Sequence, residues 1–574
     1  MQFEEILVIL GEFGRYQKIQ FFLLFIGTIP LCWVGLAPTF LSASSDHYCR
    51  VLPNQTYQDD SPLKNCTIPY TVVDDKVTWN QCNRYNVNIT SSSIQCLPHP
   101  NTAPCDDGWV YDKSTYENTV VYEFDLVCEK DWMKQLSKSM VGAGQLFGAL
   151  IFGQLADIYG RKPLFLIGLM LIIIFGIAVA FSPLFFLFVI GQFLLTAFAN
   201  GVYLTGYVLG VELVGPSARL FCSMMMMLSF SLGYIAFAGV AYGCHGNWRN
   251  IQFIIGVVFV LFIPYIWIIP ESVRWLIQKK QYYRAEIILH KAAKCNKVNL
   301  QQNIFDEEQK LEEDDSIVFR RHHTMCDLFK TPNLRCRTLN LCFNWMAVSL
   351  VYWGISLNTD ELGLNPYLSF LISGAVEIPG YLLCWMLLDT IGRRWVLCSS
   401  MILGGGSLIA SGCVPVDIPY LSPSLAMAGK MFVTSAFGDI YIFSAEIFPT
   451  CVRPEQLHWF DEASVIRTAG NRCYGHTEIG TPATEIQRFA SNVNYTINLL
   501  TSIFGVEQSD IIVGPSSAIE MMNFFFEAVN VEDHVGNRYL APGYCVIKSK
   551  FNALCPSMFQ FSYSLLEEGF ILIV

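Results

Sequence analysis

The chain has 574 residues, of which 53% are hydrophobic, 14% aromatic and only 15% charged, with a net charge of −11 and a mean hydropathy of +0.38. Soluble domains carry about a quarter charged residues, so this composition excludes an ordinary soluble protein and points to a lipid bilayer as solvent. The acidity sits mostly in one polar loop on each side of the apolar runs, and nothing in it calls for a nucleic-acid partner.

From the N-terminus, an acidic start with Glu4, Glu5 and Glu12 precedes a first apolar run over 21–43. A secretory signal would have a basic leader and a shorter apolar core, so this run is expected to remain as the first membrane helix. Residues 44–133 then form a polar loop. It holds the glycosylation acceptors Asn54, Asn65 and Asn88 and six cysteines: Cys49, Cys66, Cys82, Cys96, Cys105 and Cys128. An even count on the secretory side predicts three disulfides of open connectivity. A loop so poor in aliphatic residues needs such staples to hold a fold. Its Cys and His spacings fit no metal site, and no cofactor is expected.

Nine further apolar runs follow, at roughly 134–156, 164–182, 184–212, 222–244, 251–269, 338–357, 366–388, 395–413 and 424–447. Each is near the length, about 18–25 residues, that crosses a hydrocarbon core as helix. Arg161, Lys162, Arg219, Arg393 and Arg394 fall in short loops on one side, with the basic stretch from Arg274 to Arg337. The short loops opposite carry little that is basic beyond Arg249. The positive-inside rule therefore puts the N-terminus in the cytoplasm and residues 44–133 outside. Residues 277–337 read as a cytoplasmic linker with short surface helices, in which Ser316 and Thr324 are weak phosphorylation candidates.

Two patterns recur about 230 residues apart, each at the end of an apolar run. Asp157-Ile-Tyr-Gly160-Arg161-Lys162 is echoed by Asp389-Thr-Ile-Gly392-Arg393-Arg394, and Glu212 with Arg219 by Glu446 with Arg453. Such repetition marks two related halves of a membrane bundle, 1–276 and 338–453. Charges at helix ends can pair in one conformation and part in another, so these residues, with Glu271, are gating candidates. Asp157 is expected at the positive end of a neighbouring helix, and Arg161 is expected to bridge to the opposite half.

The run from Gly153 through Asp157, Gly160, Arg161 and Lys162 to Pro163 resembles the signature of the major facilitator superfamily. Cys105-Asp-Asp-Gly-Trp-Val-Tyr-Asp112, Phe124-Asp-Leu-Val-Cys128, Pro270-Glu-Ser-Val-Arg-Trp-Leu276, Val376-Glu377-Ile-Pro379 and Ala445-Glu446-Ile-Phe-Pro-Thr450 are similar to its organic ion branch. The resemblance spans about residues 10–453. It implies an all-α membrane protein of two pseudo-symmetric bundles that transports by alternating access, and no enzyme. Glu377 and Gly429-Lys430 look like the organic cation and carnitine members, with organic anion carriage as the alternative. The implied partners are a small organic cation or zwitterion, a coupling ion and the bilayer of the plasma membrane.

Ionisable residues inside spans are costly and so are site candidates. Glu377 is the first of these, suited to an ammonium group. Trp345 and Tyr352 share a helix face and offer rings to a cation. The resemblance adds Asn200 and Tyr203, and implies that Lys430 holds a substrate carboxylate; a lysine near a helix end also reaches outward to the interface. Asp439, a departure from the family pattern, faces either the pocket or the cytoplasmic half of the bundle.

Beyond Arg453 the family would continue into two more spans, but 454–574 is polar and contains no apolar run of about 18 residues. It is expected to be an irregular cytoplasmic tail. The C-terminal half would then lack its last two helices. Transport would be poor, and a non-transporting membrane protein whose tail binds a cytoplasmic partner is the reading from another class.

Overall fold

The computed structural model describes residues 3–52, 55–57, 62–73, 76–85, 102–300, 305, 332–359, 365–414, 418 and 420–447. Asn54, Asn88, Cys96, Ser316, Thr324, Arg453 and the segment 454–574 lie outside these residues, as does the side chain of Glu446.

A short amphiphilic helix, α1 (Phe3–Ile9), leads into α2 (Arg15–Leu41), which is broken at Pro30 and Pro38, where a ring replaces a backbone donor. Then follow α3 (Asp131–Tyr159), α4 (Arg161–Ala180), α5 (Phe185–Glu212), α6 (Arg219–Gly243) and α7 (Trp248–Ile268). Two short linker helices, α8 (Val273–Gln278) and α9 (Tyr282–Asn296), precede α10 (Pro332–Leu357), α11 (Pro366–Leu388), α12 (Arg393–Gly412) and α13 (Leu421–Ile447). All ten expected long helices are present. Among the described residues, eight are long and apolar enough to cross a membrane. Helices α10 and α13 match them in length but bury Asn340 and Asn344, and Lys430 and Asp439, inside the protein.

Without a hydrophobic drive between helices in lipid, close backbone approach holds them together. A Cβ at Gly144 or Gly148 of α3 would collide with the carbonyl oxygens of Phe193 and Ala197 on α5. The two halves meet chiefly along α6 and α11, where Tyr234 packs on Phe370 with ring centroids 4.2 Å apart. At the end next to residues 44–130, Tyr367 of α11 stacks on Phe40 of α2 at 5.5 Å.

Residues 44–130 hold strands that the sequence did not announce. β1 (His47–Cys49) pairs antiparallel with β6 (Trp109–Tyr111), β2 (Tyr70–Val73) with β3 (Lys76–Trp79), and β4 (Asn83–Tyr85) with β5 (Thr102–Pro104). Disulfides join Cys49 to Cys105 and Cys82 to Cys128, and Cys66 is also disulfide-bonded. Asn65 is exposed. The small core packs Tyr48, Ile68 and Val110, and buried Lys64 places its ammonium within 5.1–5.4 Å of the Tyr48, Tyr57 and Trp79 rings. This domain docks on α7 through Glu123, which accepts from Trp248 Nε1 at 2.8 Å and pairs with Arg249.

On the opposite side, α1, α8 and α9 share a core of Ile6, Leu10, Trp275, Leu276 and Leu289. Asn296 fastens it to α2: its side chain accepts from the Tyr16 N–H at 2.8 Å and donates to Gln17 Oε1 at 2.8 Å.

Candidate substrate cavity and gating turns

A cavity of about 70 Å³ lies between the halves. The N-terminal half contributes Gln145 from α3, Thr196, Asn200 and Tyr203 from α5, and Met227 and Phe230 from α6. Among the described residues, the C-terminal half contributes only rings: Tyr352 from α10, Tyr381 from α11, and Phe437 and Tyr441 one turn apart on α13. The wall is therefore aromatic on one side and carries amide and hydroxyl groups on the other. Asn200 Nδ2 donates to the Gln145 carbonyl at 2.8 Å, which leaves its own oxygen for another partner.

Behind Tyr352 sits a buried ion pair. Glu377 and Lys430 are both wholly enclosed, with Lys430 Nζ 3.1 Å from Glu377 Oε1. Tyr352 donates to the same oxygen at 2.8 Å, and Ser231 of α6 donates to Oε2 at 2.9 Å. Lys430 reaches Ser373 at 2.5 Å and lies over the Tyr234 ring at 4.3 Å. Burying either charge alone would cost several kcal/mol, so each is the condition for the other. The pair belongs to the C-terminal half, but Ser231 and Tyr234 come from the N-terminal half.

The remaining expected residues divide. Asn200, Tyr203 and Tyr352 line the cavity. Trp345 is fully buried, donating to Ser444 Oγ at 2.8 Å and meeting Tyr441 edge-on at 4.6 Å, so it supports the cavity wall. Lys430 points into the protein and does not reach outward, because Glu377 and two rings receive it. Asp439 is fully buried close to Cys384 and Cys398 of α11 and α12, away from the cavity lining. Ser231, Tyr234, Ser373, Phe437 and Tyr441 were not foreseen. Only the four-residue spacing of the last two, which puts them on one helix face, hinted at them.

The repeated turns share one backbone shape: φ 107° and ψ 156° at Gly160, φ 90° and ψ 152° at Gly392. Asp157 pairs with Arg161 at 2.9 Å, and Asp389 with Arg393 at 3.5 Å. The carboxylate at the positive end of α4 is Glu271, which accepts from the backbone N–H groups of Arg161 and Lys162 at 3.0 Å each. Arg161 is buried and also lies 3.6 Å from Glu212, so its observed partners stay within its own half. The expected bridge to the other half is not among the described contacts; Glu212 at the end of α5 is simply nearer. Glu212 also accepts from Ser272, while Arg219 pairs with Glu4 of α1 at 3.1 Å. Arg394 lies 5.7 Å from the Trp395 ring.

The profile of the "Sugar (and other) transporter" family matches residues 103–458. The organic cation transporter protein of Drosophila melanogaster is 40% identical over 463 residues, covering 79% of this chain and 83% of that protein. Human organic cation/carnitine transporter 2 is 34% identical over 461 residues, with 79% and 82% covered. Among solved structures, the partially occluded inward-open xylose transporter XylE from E. coli superposes with a TM-score of 0.53 at 13% identity, covering 87% of this chain and 100% of that one. That likeness carries the fold alone; the relatives narrow the branch and are transporters, not enzymes. The chain is thus a multi-pass membrane protein that belongs to the sugar (and other) transporter family of the major facilitator superfamily, on its organic cation and carnitine transporter branch.

Proposed function

We propose that the protein moves small organic cations, or zwitterions of the carnitine kind, across the plasma membrane by alternating access. In this reading the N-terminus and the Gly160 and Gly392 turns face the cytoplasm. The observation that supports it most is the Glu377–Lys430 pair set behind the Tyr352 ring at the wall of an aromatic cavity. Ring faces attract a cation that has shed its water, and a quaternary ammonium, which cannot donate hydrogen bonds, depends on them most. Glu377 supplies the charge that makes the region favourable to a cation. A substrate that draws Glu377 away leaves Lys430 able to hold a carboxylate, which suits a zwitterion. The names of the relatives, organic cation and organic cation/carnitine transporters, agree with this chemistry.

The test is uptake of labelled tetraethylammonium and labelled carnitine by cells expressing the chain. Glu377→Gln should lower cation uptake at least tenfold at equal surface amount. Because that change strands Lys430, the double variant Glu377→Gln with Lys430→Met serves as the folding control and should reach the surface as well as wild type. Undiminished uptake by Glu377→Gln would remove the carboxylate from the site.

A further inference from the structure

The segment ahead of α2 is fastened to the α5–α6 turn by two acids. Glu4 pairs with Arg219 at 3.1 Å. Glu12 accepts from the Ser217 backbone N–H at 2.9 Å and from the Ser217 hydroxyl, while its own carbonyl accepts from the Gly215 N–H at 2.9 Å. A Cβ at Gly215 would stand 2.6 Å from the Glu12 side chain, so the turn is shaped to receive this segment. Phe13 packs edge-on against Phe221 of α6 at 6.0 Å, and Phe221 against Trp385 of α11 at 5.7 Å. The fastened segment therefore backs a contact between the two halves. Ser217 itself is exposed and lies two residues before Arg219, the spacing at which a basic residue directs many kinases.

We propose that Ser217 is a phosphorylation site whose modification releases the N-terminal segment. The inference rests on the cytoplasmic placement of this turn proposed above. The γ-phosphoryl group of ATP passes to Ser217 Oγ: the O–P bond forms, the bond to ADP breaks, and the hydroxyl proton leaves to the kinase's base. The phosphate carries about −1.5 to −2 charges and has no hydroxyl to donate, so it turns the partner of Glu12 into an anion facing a carboxylate. It also stands just ahead of the 25-residue α6, whose N-terminal end favours an anion, and within reach of Arg219, which it draws from Glu4. One modification thus undoes both acidic anchors and loosens Phe13 from Phe221.

The purified full-length chain in detergent is incubated with ATP and a kinase that prefers basic residues, and phosphate incorporation is compared with Ser217→Ala. In parallel, limited trypsin cleavage after Arg15, exposed at the start of α2, reports whether the segment is fastened. Phosphate on the peptide that carries Ser217 should be lost in Ser217→Ala. Cleavage should run at least threefold faster in Ser217→Glu and return toward the wild-type rate in Ser217→Glu with Glu12→Gln. No phosphate on the Ser217 peptide of the wild type, or wild-type cleavage of Ser217→Glu, would overturn the proposal. An N-terminal tag stained in intact cells would instead overturn the cytoplasmic placement, which the detergent assays do not depend on.

Discussion

Gly160 and Gly392 are held to glycine for different reasons, although both turns have the same backbone shape. Both have positive φ, in a region that other residues enter at a cost of about 1–3 kcal/mol. Among the described residues, a Cβ at Gly392 would meet no atom within 4 Å, whereas a Cβ at Gly160 would stand 2.6 Å from Glu271 Oε2. Gly392→Ala should therefore lower the thermal unfolding temperature modestly. Gly160→Ala should lower it further, because it also displaces Glu271 from the end of α4; equal losses would contradict this. The glycine–arginine repeat was legible because its spacing recurs. Glu377 and Lys430 were legible because charges within apolar runs are rare. That they neutralise each other was not, since the partners that complete the pair, Ser231 and Tyr234, sit more than a hundred residues away with no charge to mark them.

The helices were readable one by one because each is a predominantly apolar run. Their ends were less so: α3, α4 and α6 run beyond the apolar stretch into Asp157, Arg161 and Arg219, which stay helical while pairing with each other or with α1. The disulfide-bonded domain was the opposite case. Its short strands lack clear alternation, and β1 and β6 are set by a disulfide and by pairing over a long sequence distance, as with Cys49 beside Trp109. Its attachment to α7 depends on Glu123. Partial burial raises this carboxyl, but hydrogen bonds from Arg249, Trp248 and Asn118 outweigh that and hold it below its ordinary 4.5. A depressed folded-state value means the contribution to stability is complete above 4.5 and fades as pH falls through the folded value. Glu123→Gln should thus lower thermal stability at pH 7 and match wild type once the pH is well below 4.5. A deficit of constant size down to about pH 3 would show that the charge is not what matters.

As a whole, the molecule is two related halves around an aromatic cavity, with the N-terminal segment and α8–α9 buttressing one side and a disulfide-bonded domain covering the other. The sequence after Arg453 contains no apolar run of about 18 residues, so 338–453 supplies four expected spans against six in 1–276. On the reading of the sequence that 454–574 adds no further span, we propose substrate binding with little net flux. Replacing 454–574 by the last two helices of a relative should raise labelled-cation uptake at least fivefold, and equal uptake by both chains would contradict that expectation. Binding does not depend on flux, and so it reaches the central claim most directly. Saturable binding of a labelled quaternary ammonium to the purified chain should weaken at least tenfold, about 1.4 kcal/mol, in Glu377→Gln with unchanged tryptophan fluorescence. Wild-type affinity in that variant would show that the buried carboxylate does not serve the cation site.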